Sequence, residues 1–93
     1  MIVELDEIKN VMKIETNDED DIITNMLSGS IALVKNILRV TDFTKFNKQG
    51  KNLIKTAIYY AVTYKYDFRE KGNMKELELN LRSMLNTLRE VLF

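Results

Sequence analysis

Few residues in this 93-residue chain could carry out chemistry. The chain contains neither cysteine nor histidine, which removes thiol nucleophiles, Cys/His zinc sites and catalysis by an imidazole near neutral pH. Ser28 and Ser30 therefore lack a histidine base to activate them, and we expect a packing role for both. The sequence also has no glycine-rich phosphate loop. It predicts a protein that is not an enzyme and holds no cofactor.

The acidic run Asn17–Asp21 is the densest group of potential metal ligands. A calcium loop of the EF-hand type would need a glycine and a glutamate at the positions where Ile22 and Ser28 stand. Thr16 followed by Glu19 instead fits a capping box, and the acids would lie at the positive end of the next helix dipole. The run predicts the start of a helix and no metal site.

The elements that must position any site are predicted to be helices. Proline is absent and glycine occurs only three times, while straight-chain residues that lose little rotamer freedom in a helix are abundant. A short first helix has Leu5, Ile8 and Met12 on one face and should end near Lys13.

The second helix is predicted to start in the acidic run. Its apolar face contains residues at helical spacing: Ile22, Ile23, Met26, Leu27, Ala32, Val34, Ile37 and Leu38. Ser28, Gly29 and Ser30 lie within this helix, where small side chains permit a kink or the close approach of another helix.

A loop should follow, because the apolar period fails between residues 40 and 50. We expect Phe43 and Phe46 to hold this loop to the core. The third helix, about Lys48 to Glu70, has one face formed by apolar side chains: Leu53, Ile54, Ala57, Ile58, Ala61, Tyr64 and Phe68. Lys71-Gly72-Asn73 should end it, with the glycine available for a left-handed conformation.

The fourth helix is amphipathic, with apolar residues at alternating steps of four and three as in a coiled-coil seam. The seam contains Leu77, Leu81, Met84, Leu88 and Val91, widened by Leu85 and Leu92. We therefore predict one all-α domain over residues 1–93, built from a short first helix, two long central helices and a C-terminal amphipathic helix.

A second stripe on the third helix lies almost opposite its apolar face. Tyr59, Val62 and Tyr66 form the stripe, which Lys55 and Arg69 continue toward the two ends of the helix. One interpretation is that this helix is central and buried on all sides, or that the tyrosine rings lie over neighbouring side chains. The other is a subunit interface, where Tyr and Arg are enriched.

The charges sum to zero but are placed unevenly. Residues 1–21 carry eight acids and two bases, whereas residues 35–69 carry eight bases and two acids. The chain as a whole thus lacks the basic excess typical of nucleic-acid or membrane binding. No apolar run approaches the roughly 20 residues of a membrane span, and the start of the sequence lacks the features of a signal peptide. We expect a soluble protein that is made and used in the cytoplasm.

A family resemblance rests on segments that follow one another along nearly the whole chain. They are Leu5–Lys9, Ile14 leading into Asp18–Ile23, Ile54–Ile58, Tyr66–Glu70 and Met84–Arg89. Together these segments resemble the tailed-phage head-tail connector (adaptor) family, whose members are also labelled phage DNA-packaging proteins. The tyrosine-rich third helix that ends in an Arg-Glu pair is the most specific element. The sequence departs from the family at Ser28–Ser30, where members tend to be alanine-rich, and in a short loop before the third helix.

The resemblance implies a small helical protein that assembles as a ring, typically of twelve copies, beneath the portal of a DNA-filled phage head. Such a ring joins the portal protein to the tail-completion protein and leaves a channel for the genome. The resemblance implies no catalytic residue, no cofactor, no metal and no membrane. It places the protein in the host cytoplasm during assembly and at the head-tail junction of the virion afterwards.

Two hypotheses for binding residues follow from the ring and from the charges. In the first, acids of one subunit face lysines of the next, and Tyr59, Val62, Tyr66 and Arg69 contribute to the subunit interface. The charged residues are Asp18, Asp20 and Asp21 against Lys48, Lys51 and Lys55. In the second, the three lysines line the channel and contact DNA phosphates. A different function remains open as well: a small helical DNA-binding regulator that uses this basic face of the third helix.

Overall fold

Helices form all the regular structure in the described part of the chain. The structure, a computed structural model, describes residues 1–91, with side chains up to residue 88. The helices in this range are α1 Leu5–Met12, α2 Asp20–Leu38, α3 Lys48–Asp67, α4 Met74–Met84 and α5 Asn86–Val91. The all-α prediction is therefore confirmed.

The first two helices end in the same way, with a residue in the left-handed conformation. Lys13 after α1 has φ 60° and ψ 40°, and Arg39 after α2 has φ 57° and ψ 47°. In each case the next residue, Ile14 or Val40, donates its N–H to a carbonyl five residues back, which is the Schellman arrangement. The predicted end of the first helix near Lys13 is confirmed, without the glycine that usually occupies such a position.

The core lies between α2 and α3, which run in opposite directions. Glu19 at the start of α2 contacts Arg69 just beyond the end of α3, whereas Lys35 near the end of α2 and Lys51 near the start of α3 line one cleft. Helix α1 packs against both helices on one side, and α4 packs against both on another. Fully buried side chains come from α1, α2, α3 and α4: Ile8, Ile23, Leu27, Val34, Ile54, Ala57, Ile58, Ala61, Val62, Leu77 and Leu81.

Phe43 and Phe46 hold the connection between α2 and α3 to this core. Each is only 8% exposed, although the residues around them are exposed. This part of the sequence analysis is confirmed. Asn47 then begins α3 by accepting a hydrogen bond from the backbone N–H of Gly50 at 2.8 Å.

The α2 register differs from the predicted one at three positions. Ile22 is 44% exposed and Ala32 is exposed, whereas Ile31 lies in the core. The buried residues of α2 recur at steps of four and three from Ile23 to Leu38. Ile22 and Ala32 lie outside this set, so their side chains point outward although they are apolar. Helix α2 is continuous from Asp20 to Leu38, with no break at its small residues.

The third helix ends earlier than predicted. It stops at Asp67, so Phe68 follows the last turn and is 51% exposed rather than part of the core face. Gly72 does not adopt a left-handed conformation, since no glycine in the described residues has positive φ. A glycine is needed at this position for a steric reason, because a Cβ there would lie 2.7 Å from the carbonyl oxygen of Phe68. Asn73 then begins α4 by accepting hydrogen bonds from the N–H groups of Lys75 and Glu76.

The predicted fourth helix is divided into α4 and α5 at Leu85. Ser83, Asn86 and Thr87 surround the division, and short polar side chains of this kind compete for backbone hydrogen bonds and lower helix propensity. Leu77, Leu81 and Leu85 are fully buried, as the seam predicts, and Met84 and Leu88 pack partly buried against the core. Val91 and Leu92 of the predicted seam lie outside the described side chains.

The packing of α4 can be tested with two leucines of that helix. Leu81 is fully buried, so Leu81→Ala should lower the free energy of unfolding by about 2 to 5 kcal/mol. Leu79 is 66% exposed, and Leu79→Ala should change this free energy by less than about 0.5 kcal/mol. Urea unfolding followed by circular dichroism measures both values. Equal midpoints for the two variants would show that α4 is not held to the core.

Candidate interaction surfaces

Tyr59 of α3 joins α1 to the centre of the fold. Its hydroxyl donates a hydrogen bond to a carboxylate oxygen of Glu7, and the Lys55 ammonium lies 3.4 Å from the same oxygen. Lys55 and Tyr59 are one turn apart on α3, so both reach the same acid. The contact fixes α1 on the α3 face that carries the predicted second stripe.

Tyr66 forms a similar arrangement about two turns further along α3. Its hydroxyl donates to one oxygen of Glu19, and Nη1 of Arg69 donates to the other oxygen at 2.9 Å. The Arg69 guanidinium also lies over the Tyr66 ring, 5.0 Å from its centroid. Glu19 therefore makes no side-chain cap for α2, and the predicted capping box with Thr16 is wrong, because the Glu19 carboxylate bonds α3 instead.

The second stripe of α3 thus faces partners within the same chain. Val62 is fully buried and belongs to the monomer core, so it has no surface to offer a neighbouring subunit. Tyr59 and Tyr66 are half-buried, and both bond to acids of α1 or of the α2 start. Arg69 is exposed. Val62 therefore fits the interpretation that the third helix is buried on this side as well. An interface role for the exposed parts of Tyr59, Tyr66 and Arg69 stays a prediction.

These contacts change the pKa values of both acids and phenols. The Tyr59 hydroxyl is the main cause of a lowered pKa at Glu7, with Lys55 adding to it, and the same bond raises the pKa of Tyr59 to about 12. The Tyr66 hydroxyl and then Arg69 lower the pKa of Glu19. An acid whose pKa is lowered on folding stabilises the fold at pH values above its ordinary pKa. This contribution is lost as the pH falls through the pKa that the acid has in the folded protein. For Tyr59 the stabilisation is present below pH 10 and is lost between pH 10 and about 12.

Lys9 forms a buried polar contact that sequence reasoning missed. It is 8% exposed, and its ammonium donates to Asn17 Oδ1 at 2.8 Å and to Asp20 Oδ1 at 2.7 Å. The contact closes the connection between α1 and α2. The available signal was the position of Lys9 one residue after Ile8, on the inward side of α1, where a lysine needs an anionic partner.

The predicted charged residues therefore divide into two groups. Asp20 bonds Lys9 and Lys55 pairs with Glu7, so both have partners within the monomer. Asp18, Asp21, Lys48 and Lys51 are exposed and take part in no ion pair among the described residues. Without Lys55, the basic face required by the DNA-binding alternative is reduced to the first turn of α3.

Antiparallel packing places the remaining charges at opposite ends of a molecule 42 Å long. We call the exposed acids around the start of α2 the acidic pole; they are Glu15, Asp18 and Asp21. We call the exposed lysines around the start of α3 the basic pole; they are Lys45, Lys48 and Lys51. The first turn of α3 has no acid, so its lysines stand at the positive end of the helix dipole, an unfavourable placement in the isolated chain.

A largely apolar cleft opens beside the basic pole. Ile2, Ile31 and Phe43 form its walls, and the cleft has a volume of about 490 Å³. Lys35 and Lys51 also line it, with the Lys35 ammonium 5.7 Å from the centroid of the Phe43 ring. Such a cleft suits an apolar side chain that is accompanied by negative charge.

Asp42 is an acid in the same lining, but it is already engaged. It accepts hydrogen bonds from the Thr44 hydroxyl and backbone N–H, and these lower its pKa, with Lys35 and Lys45 adding to the effect. The lysines around the cleft therefore outnumber its one acid, and the surroundings of the cleft are positive.

Among the described residues, no group of three or more acids is placed to hold a metal ion. In the same part of the chain, no helix is long and apolar enough to cross a membrane. The surface features that bear on binding are the two poles, the cleft and exposed apolar side chains such as Ile22.

Comparison with known proteins gives one match. The model of a family described as phage gp6-like head-tail connector protein matches residues 2–92. The chain matches no curated protein and no solved structure.

The bond between Tyr59 and Glu7 predicts a specific dependence of stability on pH. Glu7→Gln should lower the free energy of unfolding at pH 7 by about 1 kcal/mol, because a partly exposed charged hydrogen bond is lost. The variant should also lose less stability than the parent between about pH 5 and pH 3, because the parent alone must protonate an acid with a lowered pKa. Urea midpoints across this pH range measure the difference.

Glu15→Gln is the matched control, since Glu15 is exposed and forms no ion pair in the described residues. Its acid profile should follow that of the parent. If the Glu7 variant also follows the parent, the bond between Tyr59 and Glu7 does not form in solution.

Proposed function

The chain belongs to the phage gp6-like head-tail connector family, and from this premise we propose that it forms a ring at the junction between a phage head and its tail. In this proposal twelve copies assemble in the host cytoplasm beneath the portal protein. The ring binds the tail-completion protein on its other side and leaves a channel for the genome. Its role in this proposal is structural, which the membership of a head-tail connector family supports.

The observation that carries the proposal is the extent of the family match, which covers residues 2–92 and thus all four helices of the core. A match of this length supports the view that the whole fold, rather than one motif within it, is the connector unit. The chemistry of the chain agrees with a structural role, because its acids and tyrosines are used to join helices to each other.

Ring closure requires that one surface of each subunit binds a different surface of the next. The fold supplies unlike surfaces at its two ends, since the acidic pole and the basic pole are separated along its long axis. Arg69 and the exposed part of Tyr66 lie close to the acidic pole and are proposed to extend that surface. In the ring, DNA would pass through the channel without any reading of its sequence.

The proposal predicts the mass of the assembled protein. Twelve copies of a 10.9 kDa chain should add about 130 kDa to the portal protein of the same phage when the ring forms on it. Light scattering coupled to size exclusion, on the chain alone and with the portal, measures this mass. Electron microscopy of the same sample should show rings seated on the portal.

A chain that stays monomeric with the portal and is missing from purified virions would contradict the proposal. Tight and sequence-dependent binding of the chain to duplex DNA upstream of its own gene, with no binding to the portal, would favour the DNA-binding regulator. A band-shift experiment with a scrambled duplex as control separates these outcomes.

A further inference from the structure

We propose that neighbouring copies of this chain bind pole to pole, with the Asp21–Ile22 segment of one copy seated in the cleft beside the basic pole of the next. The inference rests on the proposed ring and names the surfaces that close it. Ile22 would enter the apolar part of the cleft, while Asp21 and Asp18 would face Lys35 and Lys51.

The first support is the set of charges that the monomer leaves without ion pairs. Contacts within the monomer use Asp20, Glu7 and Glu19, which pair with Lys9, Lys55 and Arg69. Within the described residues, the acids of the acidic pole and the lysines of the basic pole take part in no ion pair. Opposite charges are thus available at opposite ends of one chain, and copies that follow one another head to tail can pair them.

The second support is an apolar side chain in the middle of the acidic pole. Ile22 is 44% exposed on α2, and Asp21 directly precedes it. An exposed isoleucine beside two acids matches a cleft that has apolar walls and two lysines in its lining. The cleft volume of about 490 Å³ admits several side chains, so a helical segment rather than one residue fits it.

The third support is the direction of the helices that carry the two surfaces. The Ile22 surface is at the start of α2, and the cleft lies near the end of α2 and the start of α3. Copies joined in this way repeat the same heterologous contact, which closes into a ring when the rotation per copy divides a full turn. A symmetric pair that joined like poles would instead bring like charges together.

An anionic partner at the basic pole would also relieve the unfavourable placement of lysines at the positive end of α3. Asp21 of the next copy supplies such an anion at a fixed position. DNA phosphates would supply anions as well, but they offer no apolar group for the cleft. The combination of apolar walls and lysines therefore favours a second copy of the chain over DNA.

Charge reversal with mixing tests the proposal. The variant Lys48→Glu with Lys51→Glu has two acidic poles, and the variant Asp18→Lys with Asp21→Lys has two basic poles. Each variant alone should form no ring under conditions in which the parent forms rings. An equimolar mixture should restore them, because every contact in an alternating ring again joins opposite charges. Alternation needs an even number of copies, a condition that twelve copies meet.

The outcomes of mixing separate this inference from the proposed function. If the parent forms no ring with the portal, the proposed function itself fails. If the parent forms rings but the mixture does not, the ring stands and the pole-to-pole contact is wrong. If the lysine variant still forms rings alone but virions carrying it eject DNA poorly, the lysines contact DNA in the channel. Circular dichroism checks that each variant folds. Where a charge-reversed variant does not fold, the neutral changes at the same positions, Lys48→Gln with Lys51→Gln or Asp18→Asn with Asp21→Asn, should still weaken ring formation.

Cross-linking gives a second test, which uses the absence of cysteine from the chain. Thr44 lines the cleft, so Ile22→Cys with Thr44→Cys should form disulfides between neighbouring copies. Mild oxidation of rings should yield a ladder of covalent multimers on a denaturing gel. Val11→Cys with Thr44→Cys is the matched control, because Val11 is 45% exposed but lies outside the proposed contact. A ladder from the control, or none from the Ile22 pair, would overturn the proposal.

The apolar contact can be weakened without any change of charge. Ile22→Ala should raise the concentration needed for ring formation by about tenfold, because each copy loses its exposed apolar anchor. Val11→Ala should leave that concentration unchanged. Urea midpoints close to that of the parent should show that both variants keep the monomer fold, since both side chains are exposed. Equal assembly by the two variants would remove Ile22 from the interface.

Discussion

The antiparallel packing of α2 against α3 is the contact on which the other features depend. It supplies the centre of the core, and α1 and α4 each lie against both helices of this pair. It also decides where charge appears on the surface, because the acidic start of α2 and the basic start of α3 are carried to opposite ends. A parallel arrangement of the same two helices would bring these charges together and remove the polarity.

The bonds made by Glu7 and Lys9 solve a problem that small helical proteins share. Helix α1 has eight residues, which is too short to be stable in water on its own. Glu7 and Lys9 attach it at two points, the first to α3 and the second to the start of α2. Each point combines a charge with a hydrogen bond in a partly buried setting, where such contacts contribute more than at an open surface. The short helix is thus fixed by side chains as well as by burial of Ile8.

Helical periodicity was enough to predict the helices, their order and most of the core. The starts of α1 and α3, the loop held by Phe43 and Phe46, and the family itself could be read from local patterns. The partners of Glu19 and Tyr59 could not, because each pair is separated by roughly fifty residues and no local rule specifies it. For the same reason Val62 could be placed on a stripe, but its burial in the core could not be predicted.

The candidate surfaces, like the fold, could be predicted from the sequence only in part. The uneven charge was visible in the sequence, but which charges remain free depends on the pairs formed by Lys9, Lys55 and Arg69. The cleft could not be predicted, because its walls come from three separate parts of the chain. Helical spacing places Ile22 on the apolar face beside Ile23, but only Ile23 is buried, and the spacing alone does not locate the edge of the buried side.

The left-handed residues Lys13 and Arg39 show that this chain does not have the greatest stability its fold allows. Each side chain occupies a backbone conformation that glycine adopts with less strain, at a cost of about 1 kcal/mol. Both side chains are exposed. Each places a cation at the negative end of a helix dipole, which offsets part of the strain. A redesigned version of this domain therefore has, at Lys13, a position where glycine offers a simple route to a more heat-resistant subunit.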